Sequence, residues 1–451
     1  MPMATVSRDH QLILGILSTK GVATSQELQS GIEKSQATVS RLVSEMPDRV
    51  LTLGRARSTI YGLPKSILGQ SAQQPIWLTT EAGQVQRVGT LSFLAKEMIH
   101  VESEFGNFLT QGALPWLLSP LRAQGFLGRL LAKRLHPAGV GGDPDKWPIE
   151  NVLYGALQLS DAPGALTLGE SQAQQRLIEL TGDLGDDMEA VALNLMQSLP
   201  AGSSAGGEQP KFLAVRKTDG QHLLVKFTPP RGTPFGDRWH DLLCCEDVAS
   251  KVLEAFGITA AKSSIVESET RTFLVSERFD RVGPSGRRHV IAVGDASAAF
   301  VPGSSNTWTQ TTEALARHRR LDDSAAKTVA TLQHFGRLIG NSDMHSGNLG
   351  FFVDLQVKPR FSLAPVYDML PMRWRPDAMR GGAPDYDAFE PDTAALSSPA
   401  APIALAFWEQ VVAHDRVTSG LQAIAAEMAN RLQPIVESAI ESGTPLRPRC
   451  G

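Results

Sequence analysis

The stretch Ile339-Gly340-Asn341-Ser342-Asp343-Met344-His345-Ser346-Gly347-Asn348-Leu349-Gly350-Phe351-Phe352 constrains this chain more than any other. It sets an Asp and an Asn five residues apart in a short polar loop, between the apolar runs at Leu338-Ile339 and Phe351-Phe352. A carboxylate and an amide so placed can take a proton from a hydroxyl and hold a metal ion. A motif this short also occurs as an ordinary polar turn. Its meaning rests on what accompanies it along the chain, and in what order.

The chain of 451 residues is long enough for two or three domains and a substantial core, and a charged share of 20% argues against disorder. The net charge of −4 is unevenly spread: residues 1–66 hold eight Lys/Arg against five Asp/Glu, a local +3 that leaves −7 for the remainder. A basic head on an acidic body points to nucleic acid at one end only. Cys244, Cys245 and Cys450 make neither a disulfide framework nor a zinc knuckle, and the adjacent pair reads as small buried apolar residues. The start, Met1-Pro2-Met3-Ala4-Thr5-Val6, lacks an apolar signal core, and no apolar run is long enough to cross a bilayer. A soluble cytoplasmic protein without a membrane partner is the expectation.

Leu12, Ile13, Ile16 and Leu17 have helical spacing and stop at Gly21; Thr24-Ser25-Gln26-Glu27 reads as a capping box opening a second helix. A third follows over residues 35–46, with Val39, Leu42, Val43 and Met46 inward. Two apolar segments, Val50 to Leu53 and Ser58 to Leu63, flank the basic turn Gly54-Arg55-Ala56-Arg57. Three short helices and a basic hairpin describe a winged helix-turn-helix over residues 1–66. Its third helix presents Ser35, Gln36, Thr38, Ser40 and Arg41 to a major groove, while Arg55 and Arg57 reach the flanking backbone or minor groove of double-stranded DNA. A protein-docking or dimerising module with a solvated basic loop is the competing reading.

Ser66 to Gln74 reads as a linker. Residues 75–200 carry short strands at 76–78 and 85–91 and helical segments near 113–135 and 171–198, with no nameable chemistry; a scaffold subdomain is expected. From residue 201 the composition changes. The Gly-rich run Ala201-Gly202-Ser203-Ser204-Ala205-Gly206-Gly207-Glu208-Gln209-Pro210-Lys211 precedes a strand, and a second strand, His222 to Phe227, carries Lys226. Glycine amides can close round a phosphate and a strand lysine supplies a point charge to it; no G-K-[ST] opens a helix, so the nearer analogy is a kinase glycine loop. A helix over 240–256 could bring Glu246 to Lys226. The strand from Thr272 exits at Glu277-Arg278-Phe279, where backbone groups could meet adenine, and 301–312 reads as a loop. Asp368 sits at the end of the apolar strand Phe361 to Val366, where a second magnesium ligand is wanted. Residues 403–442 form two closing helices.

Together these segments resemble the HipA-type serine/threonine kinases, toxins of bacterial toxin–antitoxin systems. The likeness rests on Ser204 to Phe212, on Phe273 to Arg281, on Asn341 to Asn348 and on Leu363 to Pro371, in the family's order. It implies an α+β chain: the winged helix-turn-helix, a HipA N-terminal subdomain over 75–200, and a two-lobed, protein-kinase-like domain over 201–451. By the same resemblance Asp343 is the catalytic base, Asn348 and Asp368 bind Mg²⁺, Lys226 contacts the ATP phosphates, and Lys211 helps cover the nucleotide. Glu277 to Phe279 hold adenine, His345 supports the loop rather than acting as a base, and Ser204 is the autophosphorylation site. The implied function is transfer of phosphate from Mg-ATP to a protein hydroxyl, with a homodimer compatible. HipA toxins usually meet DNA through a separate antitoxin; a DNA-binding domain on the same chain leaves open whether one exists. A nucleotide-sensing transcription regulator with little turnover is one alternative. A small-molecule phosphotransferase is another, although antibiotic and choline kinases usually carry His two residues before the Asp, where this chain has Asn341.

Overall fold

The computed structural model describes residues 7–54, 59–159, 161–170, 177–198, 209–303, 307–377 and 382–441. The chain divides into two compact units, Met1–Thr80 with Gln84–Gln175 and Leu355–Lys358, and Glu81–Gly83 with Arg176–Asp354 and Pro359–Gly451.

The first unit opens with helices α1 (Arg8–Lys20), α2 (Ser25–Ile32) and α3 (Gln36–Ser44) and strands β1 (Val22–Thr24), β2 (Leu51–Leu53) and β3 (Ile60–Gly62), which form an antiparallel sheet in the order β1-β3-β2. The expected capping box forms: Thr24 Oγ1 accepts from the Glu27 N–H at 3.2 Å and the Glu27 carboxylate accepts from the Thr24 N–H at 2.8 Å. Lys20 reaches the same carboxylate at 2.7 Å, and these bonds hold the Glu27 pKa down at about 2. The apolar residues at helical spacing converge: Ile13, Leu17, Leu28, Val39, Leu42 and Val43 are buried with Tyr61.

A second antiparallel sheet follows, β7-β6-β5-β4-β8, from β4 (Gln73–Thr79), β5 (Val85–Leu94), β6 (Met98–Ser103), β7 (Gly106–Gln111) and β8 (Leu166–Leu168). Helices α4 (Gly125–Leu135) and α5 (Ile149–Leu157) join its core around Phe93, Leu117, Leu118 and Leu153. Three expectations are corrected here. Ser66 to Gln74 is no linker: Ile67 is fully buried, its backbone closes a tight turn on Gln70, and Gln73 already starts β4. The helix expected from about 113 begins as a 3₁₀ segment, Trp116–Leu121, and becomes α-helical only at Gly125. The helix expected from 171 starts only at Leu184, after a short strand.

That strand, β9 (Ile178–Leu180), opens the second unit. It pairs in parallel with β10 (Lys211–Arg216), so the sheet begins well before residue 201, the boundary read from the glycine run. With β11 (Gln221–Phe227), β12 (Ser263–Glu267) and β13 (Thr272–Glu277) the order is β12-β13-β11-β10-β9. Phe212, Phe227 and Phe273 pack beneath it against Met188 and Ala192 of α6 (Leu184–Ser198). Helix α7 (Pro234–Ala255), capped by Thr233, is buried along most of its length and contacts β12 and β13.

A small hairpin, β14 (Arg281–Val282) with β15 (Gly286–Arg287), leads to a sheet of β16 (Val290–Ala292), β17 (Gly350–Asp354) and β18 (Arg360–Leu363) in the order β16-β17-β18. Around it lie α8 (Val293–Phe300), α9 (Trp308–Arg317), α10 (Asp323–Leu338), α11 (Thr393–Leu396), α12 (Ala400–Val412) and α13 (Ser419–Glu441). The segment read as a loop at 301–312 is helical from Trp308: Thr307 caps it by accepting from the Gln310 N–H, and Trp308, Thr311, Thr312 and Leu315 are buried at helical spacing. Among the described residues no helix is long and apolar enough to cross a membrane.

Candidate active site

Strand pairing sets the first half of the site. In the β10–β11 register Lys211 stands directly opposite Lys226, so both side chains leave the same face of the sheet. Lys226 is buried, and its ammonium donates to both oxygens of Glu246 on α7, at 2.6 and 2.7 Å, and to a carboxylate oxygen of Asp368. Burial disfavours the Lys226 charge, but the Asp368 and Glu246 carboxylates outweigh it and raise its pKa, so the group is an ammonium. Burial also opposes ionisation of Asp368; Lys226 and then Lys211 more than offset this and hold its pKa at about 2. Glu246 moves the other way, raised by burial despite Lys226. One ammonium therefore serves two carboxylates, and the second lysine across the strand supplies part of the missing positive charge.

The second half is the loop after α10. Gly340, at φ 73°, takes the left-handed turn that ends the helix. Asn341 is buried; its amide nitrogen donates to the Asp368 carbonyl at 3.2 Å and its Oδ1 accepts from the Asp343 N–H at 3.0 Å. Asn348 donates to the Asp343 carbonyl at 2.9 Å. From outside, Trp308 Nε1 donates to the His345 carbonyl and Tyr367 Oη to the Gly347 carbonyl, each at 3.0 Å. Asp368 has a left-handed backbone, φ 56°, which costs an Asp on the order of 1 kcal/mol and points its N–H at Glu246, 3.3 Å away. Asp343, Asn348 and Asp368 are thereby tied to one frame. His345 is exposed, and its Nδ1 accepts from the Gly347 N–H at 3.0 Å.

At the strand exit the N–H groups of Glu277 and Arg278 are already spent on the Lys262 and His222 carbonyls, at 2.9 Å each. The Phe279 ring stacks on Tyr367 and meets Phe352 edge-on. Beneath it, buried Asp280 accepts from Arg278 and Arg281 at 2.6 to 3.0 Å. Arg278, Asp280, Arg281 and Tyr367 lie in stretches that carry the sequence resemblance, but their contacts, like that of Trp308, depend on tertiary packing that no local pattern encodes. Ser342 and Asp343 open onto a cavity of about 310 Å³, walled on its far side by Arg373, Arg375, Asp377 and Pro384.

The residues assigned to DNA lie in the other unit. Gln36, Ser40 and Arg41 are exposed on α3, and Arg41 is paired to Glu45 at 2.6 Å. Thr38 is half-buried and serves the helix cap with Ser35, 3.1 Å away. Arg55, Arg57 and Ser204 lie outside the described residues.

A buried strand lysine held by a helix glutamate thus meets an aspartate that is tied to the Asp–Asn loop, within a mixed α+β unit. The model of the HipA-like C-terminal domain matches residues 203–434, and that of the YjjJ-like toxin middle domain matches residues 70–177. The chain is 33% identical over 453 residues to Toxin YjjJ of Escherichia coli (strain K12), covering 95% of this chain and 98% of the relative. Its fold is similar to HipA of Shewanella oneidensis MR-1, solved with HipB and operator DNA, at a TM-score of 0.54 and 17% identity over 82% of this chain and 97% of that one. The chain belongs to the HipA-like toxin family, with the YjjJ-type middle domain.

Proposed function

We propose that the chain is a Mg-ATP-dependent protein serine/threonine kinase of the HipA toxin type, whose N-terminal domain is a winged helix-turn-helix that binds double-stranded DNA. The observation that carries the reading is the junction at Lys226, where the β11 lysine is gripped by Glu246 and Asp368 while Asn341 ties Asp368 to Asp343. Kinase chemistry is mainly positioning and charge neutralisation. Asp343 accepts the hydroxyl proton, with its backbone held on both sides by Asn341 and Asn348. Lys226 and Lys211 face the phosphates, and the Phe279 backbone meets adenine, since the Glu277 N–H is engaged elsewhere.

The donor chemistry fits magnesium. The Asp368 carboxylate and the Asn348 amide oxygen are hard oxygen ligands, and Asn348 uses its nitrogen, not its oxygen, to brace the loop. Among the described residues no three His, Cys, Asp or Glu side chains gather to hold a metal unaided, so the ion would share nucleotide phosphates. When bound, Mg²⁺ neutralises charge on the transferring group. Phosphate on Ser204, which lies outside the described residues, would add nearly two negative charges to the glycine-rich run and disfavour an anionic nucleotide beside it. The HipA neighbour was solved with an antitoxin and DNA, which supports both as partners here.

The test is transfer of labelled γ-phosphate, to itself and to lysate proteins. Asp343→Asn should abolish it while leaving nucleotide affinity within about threefold, roughly 0.7 kcal/mol. Full transfer by the variant would sink the assignment.

A further inference from the structure

The cavity beside Asp343 is built, and its construction bears on what enters it. Its far wall is the turn Met372–Trp374 and the residues after it. Trp374 is fully buried and donates through Nε1 to Asp387, which also accepts from Arg373 at 2.9 Å. The Arg373 N–H donates to the Gly340 carbonyl at 3.0 Å, fastening this wall to the turn that launches the Asp343 loop. Across the opening, Arg238 donates to the carbonyls of both Trp374 and Pro384, at 3.0 and 2.6 Å, and lies 3.7 Å over the Tyr386 ring. Asp377 and Gly382, which also line the cavity, exchange two backbone hydrogen bonds at 3.1 Å. These ties fix the wall of a concavity that two carboxylates line, Asp343 and Asp377.

The charges inside are not equivalent. Arg373 is committed to Asp387 and lies over the Phe389 ring. Arg375 lines the cavity half-buried and makes no ion pair among the described residues; only its backbone is engaged, through its N–H to the Met372 carbonyl at 3.0 Å. A partly desolvated guanidinium is satisfied best by a planar carboxylate, which it binds through two parallel N–H bonds. The volume of about 310 Å³ lies at the small end of ligand pockets and fits the side chains of a short extended segment.

We propose that this cavity is the acceptor site, and that Arg375 selects a protein segment bearing an acidic side chain beside the hydroxyl that Asp343 serves. The proposal rests on the kinase reading above and adds the substrate class. Asp343 sits at one end of the cavity to take the hydroxyl proton, and Arg375 engages the neighbouring carboxylate. The Ser or Thr oxygen forms its bond to the γ-phosphorus as the bond to the β-phosphate oxygen breaks, and ADP leaves.

The experiment uses the full-length chain, Mg-ATP and two sets of serine-centred peptides of equal length, one flanked by Asp and Glu and the other by Lys and Arg. kcat and KM are measured for wild type, Arg375→Glu and Arg375→Lys, with binding of a fluorescent ATP analogue and thermal unfolding alongside. Wild type should favour the acidic set by about tenfold or more in kcat/KM, the effect of one charge-assisted pair. Arg375→Glu should erase or invert that preference through KM without altering analogue binding. Arg375→Lys keeps the charge, so it should retain the direction with a smaller ratio, and it secures the test should the Glu variant fail to fold. An acidic preference that survives Arg375→Glu overturns the proposal. So does a uniform fall in kcat on both peptide sets, which would put Arg375 on the phosphoryl group itself. Wild type that binds the analogue yet phosphorylates neither itself nor any peptide refutes the kinase reading, and this proposal with it; self-phosphorylation with no peptide turnover overturns only this proposal.

Discussion

Lys226→Met separates a solvated charge cluster from a buried one. In the wild type Lys226 and Glu246 expose 8% and 5% of their side chains, and Asp368 exposes 25%. Removing one partner of a buried pair typically costs about 3–5 kcal/mol, because a desolvated charge is left uncompensated; here two carboxylates would remain. The signs then follow. Wild-type Asp368, held at about 2 against an ordinary 3.8, contributes stability that is present above pH 4 and lost as pH falls through about 2. Lys226, raised above its ordinary 10.5, contributes stability that persists until the solution is strongly alkaline. In Lys226→Met the burial that already raises Glu246 acts on both acids with only Lys211 opposing, so one proton is taken up on folding. The variant is then least unstable in acid, recovering about 1.4 kcal/mol per pH unit below its raised pKa. Urea unfolding at pH 5 and pH 8, read as the shift in midpoint at constant slope, measures this. A loss of about 3 kcal/mol or more at pH 8, clearly smaller at pH 5, is expected. A loss below about 1 kcal/mol and equal at both pH values would show a solvated cluster and refute the reasoning.

Two further outcomes follow from burial and pairing. Cys244 and Cys245 are wholly buried on α7, and burial pushes the Cys244 thiol up to about 12; alkylation at pH 8 followed by peptide mass mapping should leave both unmodified in the native protein and label both after unfolding. Arg41→Ala breaks an exposed pair with Glu45 and should change stability by less than about 0.5 kcal/mol, yet weaken binding to duplex DNA and lower the salt slope of log K by about 1. An unchanged slope in a filter-binding series would remove Arg41 from the interface.

The loop that begins at Asn341 was legible because it packs several chemically specific residues into one short run, and spacing alone orders them. The Lys226–Glu246 pair was legible from order too, since a strand lysine and the following helix leave few ways to meet. Strand register was not: that Lys211 faces Lys226 follows from which residues of β10 and β11 pair, which tertiary packing sets. β1 and β9, each three residues long, are too short to show a period. β6, with Ile99, His100 and Val101 buried in succession, hides the alternation by which strands are found. Arg375 was invisible for a stronger reason. Its neighbours are brought to it by Arg238, more than a hundred residues earlier, and by the Asp377–Gly382 closure, and no local pattern encodes either.

Asn341 shows how the two kinds of information combine. In the sequence it served to exclude, occupying the place where antibiotic and choline kinases carry His. In the fold its one amide spans the two stretches that bear the chemistry, donating to the Asp368 carbonyl and accepting from the Asp343 N–H. Both partners are backbone groups, so the side chain fixes where the two stretches run and leaves the carboxylates of Asp343 and Asp368 to other partners, which for Asp368 include Lys226. A neutral imidazole could donate from one nitrogen and accept at the other, but its ring holds them at a fixed separation, whereas an amide offers both functions at the end of a short stem. The spacing between the Asp343 and Asp368 backbones is therefore set by the reach of an asparagine. The cluster at Lys226, bound to Asp368, is referenced to Asp343 through that same buried amide.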